Sequence, residues 1–216
     1  AASDVYKRQA AARIPEALDD ADAAPLLCAG VTTFNALRHS GARPGDVVAI
    51  QGVGGLGHLA LQYANRMGFH TVALSRGKDK EELARELGAH AYIDSAAEDE
   101  VEELLKLGGA DVILATAPSG KAIEGVLNGL SGRGKLMIVA AAPDPISVGA
   151  MGMLSGKTIH GWPSGSAVDS EDTMRFSALT NVRPQIERFS LEQANEGFAK
   201  VMENSIRFRA VLDMSL

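Results

Sequence analysis

The sequence contains a single cysteine, no apolar run of membrane-spanning length, and fewer basic than acidic residues. The one cysteine, Cys28, cannot form an internal disulfide, which agrees with a reducing compartment. No stretch approaches the roughly 20 apolar residues of a membrane span and no signal peptide opens the chain, so a cytoplasmic location is expected. A net charge of -6 without a basic run argues against nucleic acid or an anionic membrane as the main partner.

The chain has 216 residues, enough for one full domain and part of another. Its first nine residues, AASDVYKRQ, resemble the in-frame translation of a transposon adaptor used in sequencing libraries. Agreement over successive codons indicates an artefact; the alternative is a short native tail. On the first interpretation the biological sequence begins near Ala10, inside a longer gene, and the fold is predicted from there.

Residues 49–58, AIQGVGGLGH, place a Gly-x-Gly-x-x-Gly turn between an apolar run and an amphipathic helix. A continuous apolar run suits a parallel strand that is covered on both faces. Gly52 suits a tight turn, Gly54 lets the backbone approach a pyrophosphate, and Gly57 lets the helix pack close to the strand. The helix N-terminus would direct free N–H groups at the phosphates. The motif therefore predicts dinucleotide binding by Gly52, Val53, Gly54, Gly55, Leu56 and Gly57.

From the glycine turn onward, short apolar runs alternate with helical patterns, as βαβ units do. The apolar runs predict strands at 47–50, 70–75, 91–94, 111–116, 135–140 and 158–162. The helical patterns lie at 55–67, 80–88, 98–107, 119–130 and 169–180. The predicted fold class is therefore α/β, with a doubly wound parallel sheet of six strands, the full count of a Rossmann domain.

Two flanking segments do not follow this alternation, and they set the predicted domain boundaries. Residues 10–40 are predicted to be connecting helices, two of which join at residues 28–30, with Asp19, Asp20 and Thr32 available as caps. Residues 41–182 form the predicted Rossmann domain. Residues 183–216 give a short strand, a helix at about 191–202 and a last strand at 207–214. Such a tail suggests a return to a second, catalytic domain, of which it would be a remnant.

Three segments resemble the zinc-dependent alcohol dehydrogenases of the medium-chain dehydrogenase/reductase superfamily. They are APLLCAGVT at 24–32, the glycine turn, and EELA at 81–84 with LGA at 87–89. The resemblance extends from about residue 12 to residue 213. In that family a Rossmann domain is paired with an N-terminal catalytic domain, and substrate and zinc lie between the two. The resemblance implies that only the Rossmann half and the returning tail are present here.

The same resemblance makes Cys28 a zinc ligand. Catalytic zinc takes three protein ligands and keeps an open position for the alcohol. Taken without the resemblance, a lone cysteine is usually a small buried hydrophobic residue. The family's other two ligands, a cysteine and a histidine, have no counterpart in this chain, and its five histidines are expected to be capping, surface or packing residues. This chain alone is therefore not expected to hold catalytic zinc tightly.

The preference between NADP(H) and NAD(H) is expected to depend on the end of the second strand. NAD enzymes usually carry an acid there, about 20 residues past the glycines, which binds the ribose hydroxyls. This chain has Ser75 at that position, followed by Arg76, with Lys78 and Lys80 close behind. A hydroxyl and cations attract a 2′-phosphate, whereas an acid repels it. NADP(H) is therefore favoured, with NAD(H) as the alternative if Arg76 and Lys80 are ordinary loop charges.

Four further contacts with the coenzyme are predicted. Thr116, in the segment 116–118, follows the fourth strand, and Val139, in the segment 139–141, ends the fifth. Coenzymes lie at the carboxyl ends of the strands in such sheets, so both segments are expected near the coenzyme. Arg209 resembles the tail arginine that reaches the pyrophosphate in this family; the alternative is a surface charge on an edge strand. Thr32 resembles a residue near the nicotinamide; the alternative is a capping hydroxyl.

The predicted function is the cofactor-binding part of a zinc-dependent alcohol dehydrogenase. It would transfer hydride between NADP(H) or NAD(H) and a small-molecule alcohol or aldehyde. A zinc-free quinone or enoyl reductase and a non-catalytic nucleotide-binding protein are the alternatives. The family is commonly dimeric or tetrameric through the edge of the Rossmann sheet. Residues 146–154 are a candidate for that edge, or else a buried loop.

Overall fold

The computed structural model describes residues 11–216, and residues 1–10, with the adaptor-like segment, lie outside the described part. The strands are β1 (Val47–Gln51), β2 (His70–Ser75), β3 (Ala91–Asp94), β4 (Ala110–Ala115), β5 (Leu130–Ile138), β6 (Thr158–Gly161), β7 (Ile186–Phe189) and β8 (Arg209–Leu212). The helices are α1 (Asp20–Pro25), α2 (Val31–Arg38), α3 (Gly57–Arg66), α4 (Glu81–Glu86), α5 (Glu100–Lys106), α6 (Gly120–Val126), α7 (Ala150–Met153), α8 (Ala167–Thr180) and α9 (Ala194–Met202).

The first six strands form one parallel sheet, which confirms the predicted doubly wound α/β fold. Their order is β3-β2-β1-β4-β5-β6, so the chain moves outward from β1 in one direction and then returns to continue on its other side. At the centre, Ile50 of β1 pairs with Ala73 of β2 and with Leu114 of β4. Since the strand order reverses between β1 and β4, a crevice opens at their carboxyl ends, where α/β sheets of this kind bind ligands.

The apolar strands are covered on both faces, as their unbroken hydrophobic runs predict. One buried cluster is built around Leu37, Ile50 and Tyr63, and lies under α2, α3 and α8. The other contains Leu74, Leu104 and Ile113 and lies on the side of α5 and α6. The phenol of Tyr63 is fully buried and lies 2.8 Å from the Ser177 hydroxyl, so its polar atom has a partner in the core.

The fifth strand starts earlier than predicted, at Leu130, and the preceding helix ends earlier, at Val126. The predicted helix at 119–130 is wrong at its end because a 3-10 turn, Leu127–Gly129, closes it. Strand pairing with β4 then jumps from the Ala110–Leu130 pair to the Val112–Lys135 pair. Residues 131–134 therefore form a bulge, which apolar periodicity does not show.

The segment that carries Cys28 is one continuous helical run, so the predicted junction of two helices at 28–30 is wrong in form. A π-helical turn, Leu26–Gly30, links α1 directly to α2. Gly30 fits here because a Cβ at that position would lie only 3.2 Å from the Tyr63 hydroxyl oxygen. Of the proposed caps, Asp19 caps α1 through Ala21 N–H, whereas Thr32 lies inside α2.

The tail forms a second, separate sheet of two parallel strands, β7 and β8, with α9 between them. The predicted strand-helix-strand order is confirmed, although the last strand is shorter, Arg209–Leu212, than the predicted 207–214. Within residues 11–216, no helix has the length and hydropathy of a membrane span. The division of the chain at residues 182 and 183 stays a prediction.

Residues 146–154 do not form an edge strand, so their assignment to the sheet edge is wrong. Residues 141–149 lack helix and strand, and α7 adds one helical turn. The free edges of the sheet are β3 and β6, which pair only with β2 and β5 among the described strands. Ile146 packs against the second cluster, while Met151 is 80% exposed.

Candidate functional site: a cleft at the carboxyl edge of the sheet

The glycine turn joins β1 to α3, and two of its glycines are required by its shape. Gly52 has φ +96°, a backbone conformation that L side chains rarely adopt, and its N–H donates to the Leu74 carbonyl at 2.8 Å. A Cβ at Gly57 would lie 1.7 Å from the Gly52 carbonyl oxygen. The start of α3 therefore crosses the end of β1 at a distance that only glycine allows.

Gly54 has a different environment, because nothing lies within 4 Å of the position that a Cβ would take. The protein itself therefore does not require glycine there, and the space stays open toward the cleft that Gly54 lines. No side chain caps the first turn of α3. Uncapped backbone N–H groups at a helix N-terminus, beside an open backbone, fit the phosphate groups of a dinucleotide.

The end of β2 brings Ser75, Arg76 and Lys80 to one side of the cleft. Ser75 is the buried last residue of the strand. Gly77, with φ +76°, turns the chain, and its N–H donates to Asp94 Oδ1 at 2.7 Å. The Asp94 carboxylate next to this loop is thus hydrogen-bonded to the backbone. Arg76 is exposed and Lys80 is half-buried.

The ends of β4 and β5 form the floor of the cleft. Thr116 follows β4, and its hydroxyl donates to the Gln51 carbonyl at 2.7 Å, with the Gly52 carbonyl at 3.3 Å. The N–H of Val139 donates to the Ala115 carbonyl at 3.2 Å, which continues the pairing just past β5. Both residues line the cleft, and Thr116 also fixes the first residue of the glycine turn.

The tail closes the cleft from above the glycine turn through Arg209, the first residue of β8. A Cβ at Gly55 would lie 3.0 Å from Arg209 Nη1, so the guanidinium lies against the turn. The cleft has a volume of about 970 Å³, which is in the range of a small-molecule or cofactor site. Four basic side chains line it, Arg76, Lys80, Lys121 and Arg209, against one acidic side chain, Glu100. Its charge suits a polyanionic ligand.

The structure thus brings the predicted coenzyme contacts to one cleft, except for two. Gly57 lies beneath the turn and not in the lining, and Thr32 is buried in α2 and is likewise not part of the lining. For every one of these residues, contact with a coenzyme stays a prediction. The residues of the lining that sequence reasoning missed are Gln51, Leu74, Ser95, Glu100, Ser119, Lys121, Ala122 and Gly125. Ser119 and Lys121 follow β4, so the rule that ligands bind at the carboxyl ends of the strands could have included them.

Two titratable groups near the cleft have shifted pKa values. Burial raises the pKa of Glu100, and the neighbouring Ser95 hydroxyl and Arg76 charge oppose that shift. Burial also lowers the pKa of His58 to about 4, against its hydrogen bond to the Gly54 carbonyl. His58 was expected to be a cap, surface or packing residue, and its place directly after Gly57 was the one signal of its closeness to the turn.

Cys28 lies outside the cleft, in the π-helical turn, with its side chain exposed. Within residues 11–216 there is no group of three or more His, Cys, Asp or Glu side chains that could hold a metal ion. The described residues therefore do not form a zinc site, because catalytic zinc needs three protein ligands. Cys28 offers one thiol that further ligands could join.

Comparison with known proteins agrees with this geometry. The model of the protein family described as "Zinc-binding dehydrogenase" matches residues 55–180, more than half of the chain. The chain is 51% identical over 211 residues to alcohol dehydrogenase patD of Penicillium expansum, and the match covers 97% of this chain and 62% of that protein. The chain therefore spans about three fifths of the length of this relative.

Two solved structures show the same fold. The protein CAD of Helicobacter pylori, in complex with NADP(H), has a TM-score of 0.76 and 26% identity; the match covers 89% of this chain and 55% of that one. The acetophenone reductase of Geotrichum candidum, in complex with NAD, has a TM-score of 0.82 and 23% identity, and the match covers 94% and 59%. At 23% identity the second likeness concerns the fold alone.

Proposed function

The chain belongs to the zinc-binding dehydrogenases of the medium-chain dehydrogenase/reductase superfamily, and from that premise we propose that it is the coenzyme-binding part of an alcohol dehydrogenase. The full protein would transfer hydride between a nicotinamide coenzyme and the carbon of a small alcohol or aldehyde. The bound nicotinamide carries the hydride, and the protein supplies binding and orientation. We further propose that the full protein is cytoplasmic and forms a homodimer or a homotetramer.

The observation that carries this proposal is the cleft above the glycine turn. It combines an open backbone at Gly54, an uncapped helix N-terminus and Arg209 lying against the turn. Each of these features suits a diphosphate, and together they leave room for the rest of a dinucleotide. The cleft reaches from the end of β2 to the end of β5, as an extended ligand requires.

We infer further that NADP(H) is the preferred coenzyme. Ser75 replaces the acid that would repel a 2′-phosphate, and Arg76 and Lys80 line the same end of the cleft. A buried acid next to this loop, Asp94, accepts hydrogen bonds from Gly77 N–H at 2.7 Å and Ala96 N–H at 2.9 Å. Its carboxylate is thus already hydrogen-bonded to backbone N–H groups. One of the two structures above carries NADP(H) and the other NAD, so the preference of this chain is inferred from its own side chains.

The test is the binding of NADPH and NADH to the chain, followed by nicotinamide fluorescence. Arg76→Ala combined with Lys80→Ala should raise the Kd for NADPH about 10- to 100-fold, because hydrogen bonds to charged groups contribute about 1.5–3 kcal/mol. The Kd for NADH should change by less than about threefold. Lys78→Ala is the matched control, since Lys78 is an exposed cation of the same loop outside the cleft lining.

Equal losses for both coenzymes would refute the assignment to the 2′-phosphate. Failure of the unsubstituted chain to bind either coenzyme would refute the proposed function itself.

The role of Cys28 as a zinc ligand stays a proposal, and its support is the exposed thiol together with the family membership. The remaining ligands would come from outside the described residues. Zinc analysis of the complete protein and of its Cys28→Ser variant tests this: loss of bound zinc in the variant is expected. A complete protein without zinc would favour the alternative, a quinone or enoyl reductase. Absence of turnover with any small aldehyde would favour a non-catalytic nucleotide-binding protein.

A further inference from the structure

His58 is a fully buried titratable side chain for which the proposed function gives no role. It is the second residue of α3 and lies beneath the glycine turn. Its Nδ1 lies 2.9 Å from the Gly54 carbonyl oxygen, and its Nε2 lies 3.2 Å from the Gln185 backbone nitrogen. A carbonyl can only accept and a backbone N–H can only donate, so the ring is neutral and carries its proton on Nδ1. The pKa of about 4 keeps it neutral near pH 7.

The imidazole also contacts the second strand of the tail. Its ring stacks on Phe208 with 4.8 Å between the ring centroids. The N–H groups of Phe208 and Arg209 both donate to the Gln185 carbonyl, at 3.0 Å and 3.2 Å. Gln185 precedes β7 and Phe208 precedes β8. The His58 side chain therefore contacts the residues that begin both tail strands, and links them to the glycine turn.

Arg209 directly follows Phe208 and lies on the cleft side of this junction. Its Nη1 would lie 3.0 Å from a Cβ at Gly55, and its Cδ 3.3 Å, so the side chain crosses the turn in close contact. Among the ion pairs of residues 11–216 there is none to Arg209. Its charge is therefore free for an anion held by the turn.

We infer that His58 is a positioning residue for the diphosphate of the coenzyme. It joins the Gly54 carbonyl to Gln185 and Phe208, and through them it holds Arg209 over the N–H groups that receive the phosphates. The inference rests on the proposed function, because that function supplies the anion. His58 itself is buried and is absent from the cleft lining, so it acts without touching the ligand.

The experiment is a double-mutant cycle on coenzyme affinity with His58→Leu, Arg209→Ala and the combination. Leucine keeps apolar bulk against Phe208 and removes both hydrogen bonds. Each single substitution should raise the Kd about tenfold, and the double variant should bind no more weakly than Arg209→Ala alone, because the two residues act as one unit. His58→Asn, which can still donate to Gly54, should restore part of the affinity. The cycle uses whichever of NADPH and NADH binds more tightly, so an error in the 2′-phosphate assignment does not affect it.

The matched control is Tyr63→Phe, which removes a buried hydrogen bond from the same helix, on the side that faces Ser177. It should lower stability and leave the Kd within twofold. Losses from His58→Leu and Arg209→Ala that multiply in the double variant would overturn the inference, as would an unchanged Kd in His58→Leu. Absence of binding by the unsubstituted chain would instead overturn the proposed function.

A second readout needs no ligand. His58→Leu should accelerate hydrogen exchange at the Gln185 amide and in β8, while exchange in β1 stays unchanged. Unchanged exchange at Gln185 would overturn the inference whether or not a coenzyme binds.

Discussion

The same substitution at two positions of the glycine turn should have opposite effects. In Gly57→Ala the new methyl carbon would lie 1.7 Å from the Gly52 carbonyl oxygen and 2.8 Å from its carbon. Both are backbone atoms, so no side-chain rotation relieves the overlap. In Gly54→Ala the methyl carbon meets no atom within 4 Å, and φ at Gly54 lies outside the left-handed region.

The magnitudes follow from these contacts. Overpacking costs typically about 1–3 kcal/mol, and a clash between two backbone segments belongs at or above the upper end. Gly57→Ala should therefore lower the free energy of unfolding by at least about 3 kcal/mol, or Tm by about 6–12 °C for a chain of this size. Gly54→Ala should change stability by only about 0.4–1 kcal/mol, in the stabilising direction, because alanine restricts the unfolded chain. Its methyl group points into the space for the pyrophosphate, so the Kd for NADPH should rise at least about tenfold.

Thermal unfolding followed by circular dichroism and titration with NADPH measure the two effects separately. The expected result is that Gly57→Ala lowers Tm, whereas Gly54→Ala lowers affinity and leaves Tm at or slightly above that of the unsubstituted chain. A Gly57→Ala chain with unchanged Tm would show that α3 does not cross β1 as closely as described. A Gly54→Ala chain with unchanged NADPH affinity would show that no phosphate approaches the turn at that point.

Two further predictions concern charge. The folded-state pKa of His58 is about 4 against an ordinary 6.5, so the unfolded chain binds this proton first and stability should fall as the pH drops from 6.5 to 4, by about 3 kcal/mol in total. Urea denaturation at pH 7 and at pH 4.5 measures the fall, which should be smaller in His58→Leu; an equal fall in both chains would contradict the assignment. Glu100→Gln should tighten NADPH about two- to fivefold, since it removes the one acidic side chain of the lining next to Arg76. Fluorescence titration measures this effect, and a weaker affinity would instead indicate that the carboxylate binds the ligand.

Much of the sheet could be predicted because each central strand contains a continuous apolar run and each connection carries a turn signal. The glycine turn was predictable because the spacing of its glycines and the residues that flank them lie within ten positions of the sequence. Boundaries were less accurate where the cause is distant in sequence. The bulge at 131–134 depends on Gly134, whose Cβ would lie 2.7 Å from the Ala110 carbonyl oxygen, a contact between two strands. No local pattern shows such a contact.

Prediction of the candidate site from the sequence was limited in the same way. Ser75 ends a predicted strand and Arg76 follows it. Ligands bind at the carboxyl ends of the strands in such sheets, so both residues were predicted to lie in the cleft. The role of His58 depends on Gln185, which is 127 residues away in the sequence. Gly30 in the π-helical turn likewise has a distant neighbour, since a Cβ there would lie 3.2 Å from the hydroxyl oxygen of Tyr63 in another helix. A histidine or a glycine at these positions has many possible roles until its distant neighbour is known.

The distance between the glycine turn and Arg209 also has a consequence for synthesis. β1, the turn and α3 lie in the first third of the described chain and can pair with β2 as soon as the ribosome releases them. Arg209, and the strand that carries it, leave the ribosome much later. A nascent chain therefore forms the sheet and the glycine turn well before it can close the cleft. Coenzyme capture by a chain still being translated should be weak, and full affinity should arise only when β8 has paired with β7.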